Sequence, residues 1–112
     1  MKTNSAESKV RKILKELGFI LSSQKDERTN GVDIVAMKKG KVLLIEVKKA
    51  KYHKRAWQVT NVSNKQKVVC DTIAIVFPDG TISLSPMSEH LKLCSKSGVR
   101  YLTEYYKLTQ LL

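Results

Sequence analysis

Two carboxylates and a lysine are predicted to meet on one β-hairpin. Asp33 stands in one apolar segment, Glu46 and Lys48 stand in the next, and Lys39-Gly40 between the segments predicts the centre of a hairpin turn. Paired residue numbers then have a constant sum, which places Asp33 opposite Glu46. Because side chains alternate along a strand, Lys48 emerges on the same face as Glu46, roughly 7 Å further along.

Two carboxylates opposite each other on a sheet destabilise it unless something offsets their charge. Asp33 and Glu46 therefore predict a bound cation. Oxygen ligands are hard donors, which favours Mg²⁺, with Mn²⁺ as a substitute, over zinc. The hairpin thus predicts a metal-ion active site.

The elements that position this site are predicted from periodicity and turn signals. Apolar residues at helical spacing begin after Ser5 and end at Gly18, and Phe19 begins a short apolar strand. Both faces of the hairpin are apolar over most of their length, which predicts a central pair covered by helices on both sides. Further along we expect a helix at 63–69, strands at 72–77 and 81–84, a helix at 86–97, and a strand or irregular segment at 99–106. The prediction is an α/β fold, a central mixed β-sheet flanked by helices.

The composition narrows the class of partner. A chain of 112 residues predicts one domain, residues 1–112, and 21 Lys+Arg against 10 Asp+Glu give a formal net charge of +11. This excess favours a polyanion, and nucleic acid is preferred to a membrane surface because no basic amphipathic helix with large apolar anchors is found. No apolar run approaches the ~20 residues of a spanning helix, and the N-terminus lacks a signal peptide. We expect a cytoplasmic, intracellular protein with Cys70 and Cys94 reduced and buried.

At this point the chain resembles the PD-(D/E)XK nuclease superfamily, over roughly residues 5–85. The resemblance rests on Asp33, twelve further residues and Glu46-Val47-Lys48, after a helix that carries Glu7. Val32 stands where the family name has proline. The resemblance implies a restriction-endonuclease-like core, as found in restriction enzymes, Holliday junction resolvases and some homing endonucleases.

The resemblance also implies roles for the site residues. Asp33 and Glu46 would hold the metal together with the backbone carbonyl of Val47, and Lys48 would position the attacking water or stabilise developing negative charge. Glu7 matches the acidic residue often found on the first helix. Its spacing from Asn4 and Ser5 also fits a capping box, in which a glutamate stabilises the helix without any catalysis.

The residues after the predicted catalytic strand form a dense basic stretch with two aromatic residues among them. We expect phosphate contacts there that position a duplex without reading its sequence, although a solvated charge run is the simpler interpretation. Tyr52 and Trp57 could stack on an opened base, but core or interface packing is favoured for Trp57. Gln66, in preference to Gln58, is a candidate accessory polar residue. The predicted nucleic-acid-binding residues are Lys49, Lys51, His53, Lys54 and Arg55.

The predicted function is a Mg²⁺-dependent endodeoxyribonuclease that hydrolyses phosphodiester bonds in DNA. Recognition of DNA structure, as in a Holliday-junction resolvase, suits a small lysine-rich chain, and a homing or restriction-type site-specific enzyme is the alternative. A non-catalytic nucleic-acid-binding protein with the same fold, and cleavage of RNA, also stay open. The apolar tail, Leu108 with Leu111 and Leu112, leaves a homodimer open.

Overall fold

Three helices and seven strands make up the part of the chain that the computed structural model describes, residues 5–22, 32–53, 56–59, 62–93 and 100–102. Their order alternates between helices and short groups of strands, as in other mixed α/β folds. The elements are α1 (Ser5–Glu16), β1 (Ile20–Leu21), β2 (Ile34–Lys38), β3 (Lys41–His53), β4 (Ala56–Val59), α2 (Asn64–Val69), β5 (Thr72–Val76), β6 (Ile82–Pro86), α3 (Met87–Leu93) and β7 (Arg100–Leu102).

Helix α1 packs one apolar stripe on the sheet and stops at a glycine. Ala6, Val10 and Leu14 recur every fourth residue and are all buried. Gly18 then adopts φ +94°, and the N–H of Phe19 donates to the carbonyl of Leu14 at 2.9 Å, which is the Schellman type of helix end. The predicted first helix and its glycine stop are confirmed.

Strands β2 and β3 form the predicted hairpin. Lys39 and Gly40 have φ values of +46° and +80°, the pair of left-handed conformations that a tight two-residue hairpin turn requires. Val35 pairs with Leu44, so the constant-sum register predicted from the turn is confirmed. That register decides which side chains share a face, and hence the composition of the site.

Strand β3 is the longest element, and three other strands pair with it. Its residues 41–45 pair antiparallel with β2, residues 45–49 pair parallel with β5, and residues 50–53 pair antiparallel with β4. The sequence analysis placed the basic stretch after the end of this strand and assigned no strand at β4, and both points are corrected. Tyr52 lies opposite Trp57 with ring centroids 5.2 Å apart, and such aromatic cross-strand pairs stabilise strands of otherwise low propensity.

The sheet buries a separate core on each face, which confirms the predicted α/β architecture with a central mixed sheet. One core joins α1 to alternate residues of β2, β3 and β5, including Ile45 and Ala74. The other contains Ile73, Ile75 and Phe77. The two sets alternate along β5, as neighbouring residues of a strand must.

The outer end of the hairpin departs from the expectation that both faces are covered. A transverse row formed by Ile20, Met37 and Val42, which are paired in register, remains 70%, 37% and 49% exposed. The described parts of the three helices, with 12, 6 and 7 residues, leave this row exposed.

The remaining elements largely follow the predicted boundaries. Helix α2 begins after the N-cap Ser63, and a turn with Gly80 at φ +90° joins β5 to β6. The last predicted helix is described as far as Leu93, and β7 lies within 99–106, which agrees with the strand alternative predicted for that segment. Cys94 and the apolar tail lie outside the described residues. Within the described ranges, no helix has the length and apolarity needed to cross a membrane.

Candidate active site

Asp33 sits immediately before β2 and closes the hairpin with both its backbone and its side chain. Its N–H donates to the carbonyl of Ile45 at 3.0 Å, and its Oδ2 accepts from the N–H of Val47 at 2.8 Å. The carboxylate therefore takes the place of a ladder partner just beyond the last paired residues. The N–H and C=O of one residue in a strand point to the same side, so the carbonyl of Val47 faces the edge that Asp33 occupies.

Glu46 is nearly buried, with 3% of its surface exposed, and is paired with one cation. The Nζ of Lys48 lies 3.3 Å from its Oε2. The other oxygen, Oε1, is buried and has no hydrogen-bond partner among the described residues. A buried carboxylate oxygen without a partner is costly, and the usual compensation is a proton or a bound cation.

Burial and the neighbouring charge of Asp33 raise the pKa of Glu46 to about 7, while Lys48 opposes the shift. Burial is the larger cause because it removes solvation from the charged form, and Asp33 adds repulsion between like charges. The three residues predicted from the hairpin are therefore close enough to interact electrostatically. A carboxyl group poised near neutrality inside a charged cluster is typical of functional sites.

The wall beside this cluster is apolar and carries a thiol. Ile73 lies beside Glu46 in the parallel ladder and Ile75 beside Lys48. Burial raises the pKa of Cys70 to about 12, and the charges of Glu46 and Asp33 add to the shift. Cys70 is a buried, reduced thiol, as the sequence predicted, and it stays protonated at neutral pH.

The structure does not bring Glu7 to this cluster. Ile45 packs with α1, so the next side chain, that of Glu46, emerges on the opposite face of the sheet. Glu7 lies on α1 and its Oε2 accepts from Nε of Arg11 at 3.4 Å. A catalytic part for Glu7 stays a prediction.

Gln66 has a structural task at the start of α2. Its N–H donates to Oγ of Ser63 at 3.2 Å, and its Oε1 accepts from the N–H of Ser63 at 3.2 Å. These two bonds form a capping box, which satisfies two backbone donors at the helix N-terminus. An accessory catalytic role for Gln66 stays a prediction.

The predicted phosphate-binding residues are only partly described. Lys49 and Lys51 are exposed on β3 and alternate with Lys48, so they point to the face opposite the carboxylates. His53 is the last residue of β3, and Lys54 and Arg55 lie outside the described residues. Their contacts with nucleic acid stay predictions.

Trp57 is part of the core, as expected from packing. Its ring makes an edge contact with Phe77, with centroids 4.8 Å apart, and it lies against the core cluster of Ile73 and Ile75. Tyr52 is exposed and contacts the other side of the indole.

Sequence reasoning did not single out Asp71, which holds β3 to β5 beside the site. Its Oδ1 accepts from the N–H of Leu44 at 2.9 Å, and its own N–H donates to the carbonyl of Leu44 at 3.0 Å. Asp33 and Asp71 thus anchor opposite edges of the strand that carries Glu46. The available signal was an aspartate directly before a buried strand in a chain with only 10 acidic residues.

In the part of the chain described by the structure, no three or more His, Cys, Asp and Glu side chains form a metal-binding group. The acidic pair of Asp33 and Glu46 is therefore a sparse ligand set. Mg²⁺ usually keeps several waters and takes one or two protein carboxylates with substrate oxygens, and that requirement is compatible with this pair.

Comparison with known proteins identifies the fold. No protein-family model matches the chain, and no curated protein matches it. Among solved structures, the chain superposes on I-Ssp6803I, a bacterial homing endonuclease, with a TM-score of 0.68 and 17% sequence identity. The two proteins share a fold. The match covers 93% of this chain and 78% of that one, so it includes the sheet and the helices around the acidic pair.

Proposed function

We propose that this chain is a metal-dependent DNA endonuclease that hydrolyses phosphodiester bonds. The observation that carries the proposal is the buried Glu46 carboxylate, with one oxygen beside Lys48 and the other without a described partner, next to Asp33. The fold shared with a homing endonuclease supports the same reading of the site. Assignment to the PD-(D/E)XK superfamily is part of the proposal.

The donor set fits Mg²⁺ or Mn²⁺. Glu46 offers the unpartnered Oε1, and Asp33 keeps one oxygen free of the bond that its Oδ2 makes with Val47. The carbonyl of Val47 is the third candidate ligand. All three are hard oxygen donors, as Mg²⁺ prefers. Zinc sites, in contrast, usually contain Cys or His ligands. Neutralisation of both carboxylates by a dication would also remove the repulsion that raises the pKa of Glu46.

The bound metal would supply a water of lowered pKa and polarisation of the scissile phosphate. Lys48 is 17% exposed, so its ammonium group can pair with Glu46 and still donate a hydrogen bond towards solvent, where a phosphate oxygen would lie. Donation to that oxygen stabilises the charge that builds as water attacks phosphorus and the bond to the 3′ oxygen breaks. The apolar wall of Ile73 and Ile75 limits the water around these charges and strengthens their interactions.

DNA is the proposed substrate because the chain carries a net charge of +11 and the structural neighbour is named a homing endonuclease. That neighbour favours a site-specific duplex enzyme. The small lysine-rich chain favours a structure-selective enzyme of the Holliday-junction-resolvase type. These two substrates define the comparison that a cleavage assay must make.

The decisive experiment is cleavage by the purified protein with Mg²⁺, Mn²⁺ or EDTA, on duplex DNA libraries, single strands, four-way junctions and RNA. We expect metal-dependent cutting of DNA that is lost in Asp33→Asn and Glu46→Gln. Cutting at one duplex sequence supports the homing type, and paired symmetric cuts confined to the junction support the resolvase type. Cutting of RNA alone, or no metal-dependent cutting, would contradict the proposal, and DNA binding without cutting would indicate a non-catalytic member of the fold.

A further inference from the structure

A groove beside the point where β3 changes partner strands brings together two lysines from different elements. Its lining includes Lys9 from α1 and Lys49 from β3, and its volume is about 240 Å³. Lys49 belongs to the alternate set of β3 residues that faces α1, whereas Glu46 and Lys48 face the other way. The two lysines therefore lie on the α1 side of the sheet, away from Glu46 and Lys48, while Ala50 and Phe77 in the lining belong to the core on the other side.

The groove opens where β3 leaves one partner strand for another. Its parallel pairing with β5 ends at Lys49 and Val76, and its pairing with β4 begins at Ala50. The floor is apolar and the turn after β5 forms one wall, so the remaining lining consists of Ala6, Ala50, Val76, Phe77 and Pro78. None of these described lining residues is acidic.

Neither lysine of the groove forms an ion pair within the part of the chain that the structure describes. Both are exposed. Two cations over an apolar floor are suited to an anion that also presents apolar surface. A phosphodiester backbone has both parts, since its phosphates accept from ammonium groups and its sugars pack on apolar side chains.

We infer that this groove binds the sugar–phosphate backbone of DNA, with Lys9 and Lys49 each contacting a phosphate. The inference rests on the proposed function, because it places a second stretch of the same nucleic acid away from the acidic pair. The contact positions DNA and carries no sequence information. It also adds Lys9, which lies far from the basic stretch in sequence, to the binding surface.

The test is DNA binding by Lys9→Gln and Lys49→Gln, measured by fluorescence anisotropy in EDTA at several salt concentrations. Each loss of a phosphate contact should weaken binding to unrelated duplexes alike and reduce the slope of log Kd against log salt by about one. Lys49→Arg keeps the charge and should retain the slope. Lys15→Gln is the matched control, an exposed lysine of α1 outside the groove, and should change the slope by much less.

Equal losses in Lys15→Gln and the two groove variants would show a general charge effect and overturn the inference. Unchanged slopes in Lys9→Gln and Lys49→Gln, or no binding of DNA by the unaltered protein, would overturn it as well. Binding in EDTA requires no metal, so it is measured separately from cleavage. Losses confined to the groove variants, without metal-dependent cleavage, would therefore support the groove and contradict the endonuclease proposal. Metal-dependent cleavage with unchanged salt slopes would support the endonuclease proposal and overturn the groove.

Discussion

Oδ2 of Asp33 accepts a hydrogen bond from the backbone N–H of Val47 at 2.8 Å. One carboxylate oxygen thus continues the ladder between β2 and β3 past its last backbone pair, and the other takes no part in that bond. The same side chain has a structural and a proposed catalytic part. Two substitutions separate these parts.

Asp33→Asn keeps an oxygen that can accept from Val47 but removes the charge. We expect its stability to stay near that of the unaltered protein and its DNA binding to be equal or tighter, with metal-dependent cleavage lost. Asp33→Ala also loses the hydrogen bond to Val47, so its free energy of unfolding should fall by a further ~1–2 kcal/mol. Urea unfolding and cleavage assays measure the two effects. Cleavage retained by Asp33→Asn would contradict the assignment of Asp33 to the metal.

Glu46 should make the metal-free protein less stable as pH rises. Its pKa is raised from 4.5 unfolded to about 7 folded, so unfolding releases a proton between these values and stability declines from about pH 4.5 to pH 7. Glu46→Gln lacks this titration and should be the more stable protein at pH 8 in EDTA, by up to about 3 kcal/mol.

The measurement is urea unfolding of both proteins at pH 5 and pH 8, with and without Mg²⁺. Mg²⁺ should stabilise the unaltered protein at pH 8 and leave Glu46→Gln nearly unchanged. Glu16→Gln, an exposed carboxylate at the end of α1, is the matched control and should follow the unaltered protein. A stability difference between the Glu46→Gln and unaltered proteins that does not depend on pH would rule out this titration.

Lys48→Ala should impair turnover more than affinity. Loss of a donor beside the scissile phosphate costs roughly 10²–10³ in rate, whereas one ammonium group among many contributes little to the Kd for DNA. The variant also removes the cation 3.3 Å from Glu46, so the pKa of Glu46 and the pH midpoint of cleavage should both rise. Single-turnover rates across pH test this. A defect in Kd alone would make Lys48 a phosphate anchor.

Asp71 should stabilise the protein by holding β3 beside β5. In Asp71→Ala the N–H of Leu44 loses its partner at 2.9 Å, and we expect a loss of about 1 kcal/mol in stability because the bond is solvent-exposed. Asp71→Asn keeps an acceptor oxygen and should lose much less. Thermal unfolding compares the two. Equal effects of both variants would mean that the charge, and not the hydrogen bond, is what Asp71 contributes.

The hairpin was predictable because its determinants are local. Two adjacent left-handed residues at the turn define the register, and strict alternation then assigns Glu46 and Lys48 to one face. The same holds for α1, whose apolar spacing and glycine stop lie within one helix. Asp33 beside Glu46 followed from this register alone.

The extension of β3 to His53 and the strand β4 were not predictable in the same way. Lysine-rich segments have weak strand propensity. The pairing of β3 with β4 is stabilised by the contact of Tyr52 with Trp57 and by the packing of Trp57 on Phe77. Phe77 lies twenty residues from Trp57 in sequence. A contact of that separation leaves no local periodicity to recognise.

The three charged residues of the candidate site, their place on the hairpin and the class of fold follow from the sequence alone, because turn geometry and two-residue alternation act over short distances. The burial and raised pKa of Glu46, the position of Glu7 across the sheet and the meeting of Lys9 with Lys49 come from tertiary packing. The burial and the electrostatic environment of a side chain depend on which distant elements pack together. For Glu46 the decisive contact is the parallel pairing of β3 with β5, which joins residues far apart in sequence.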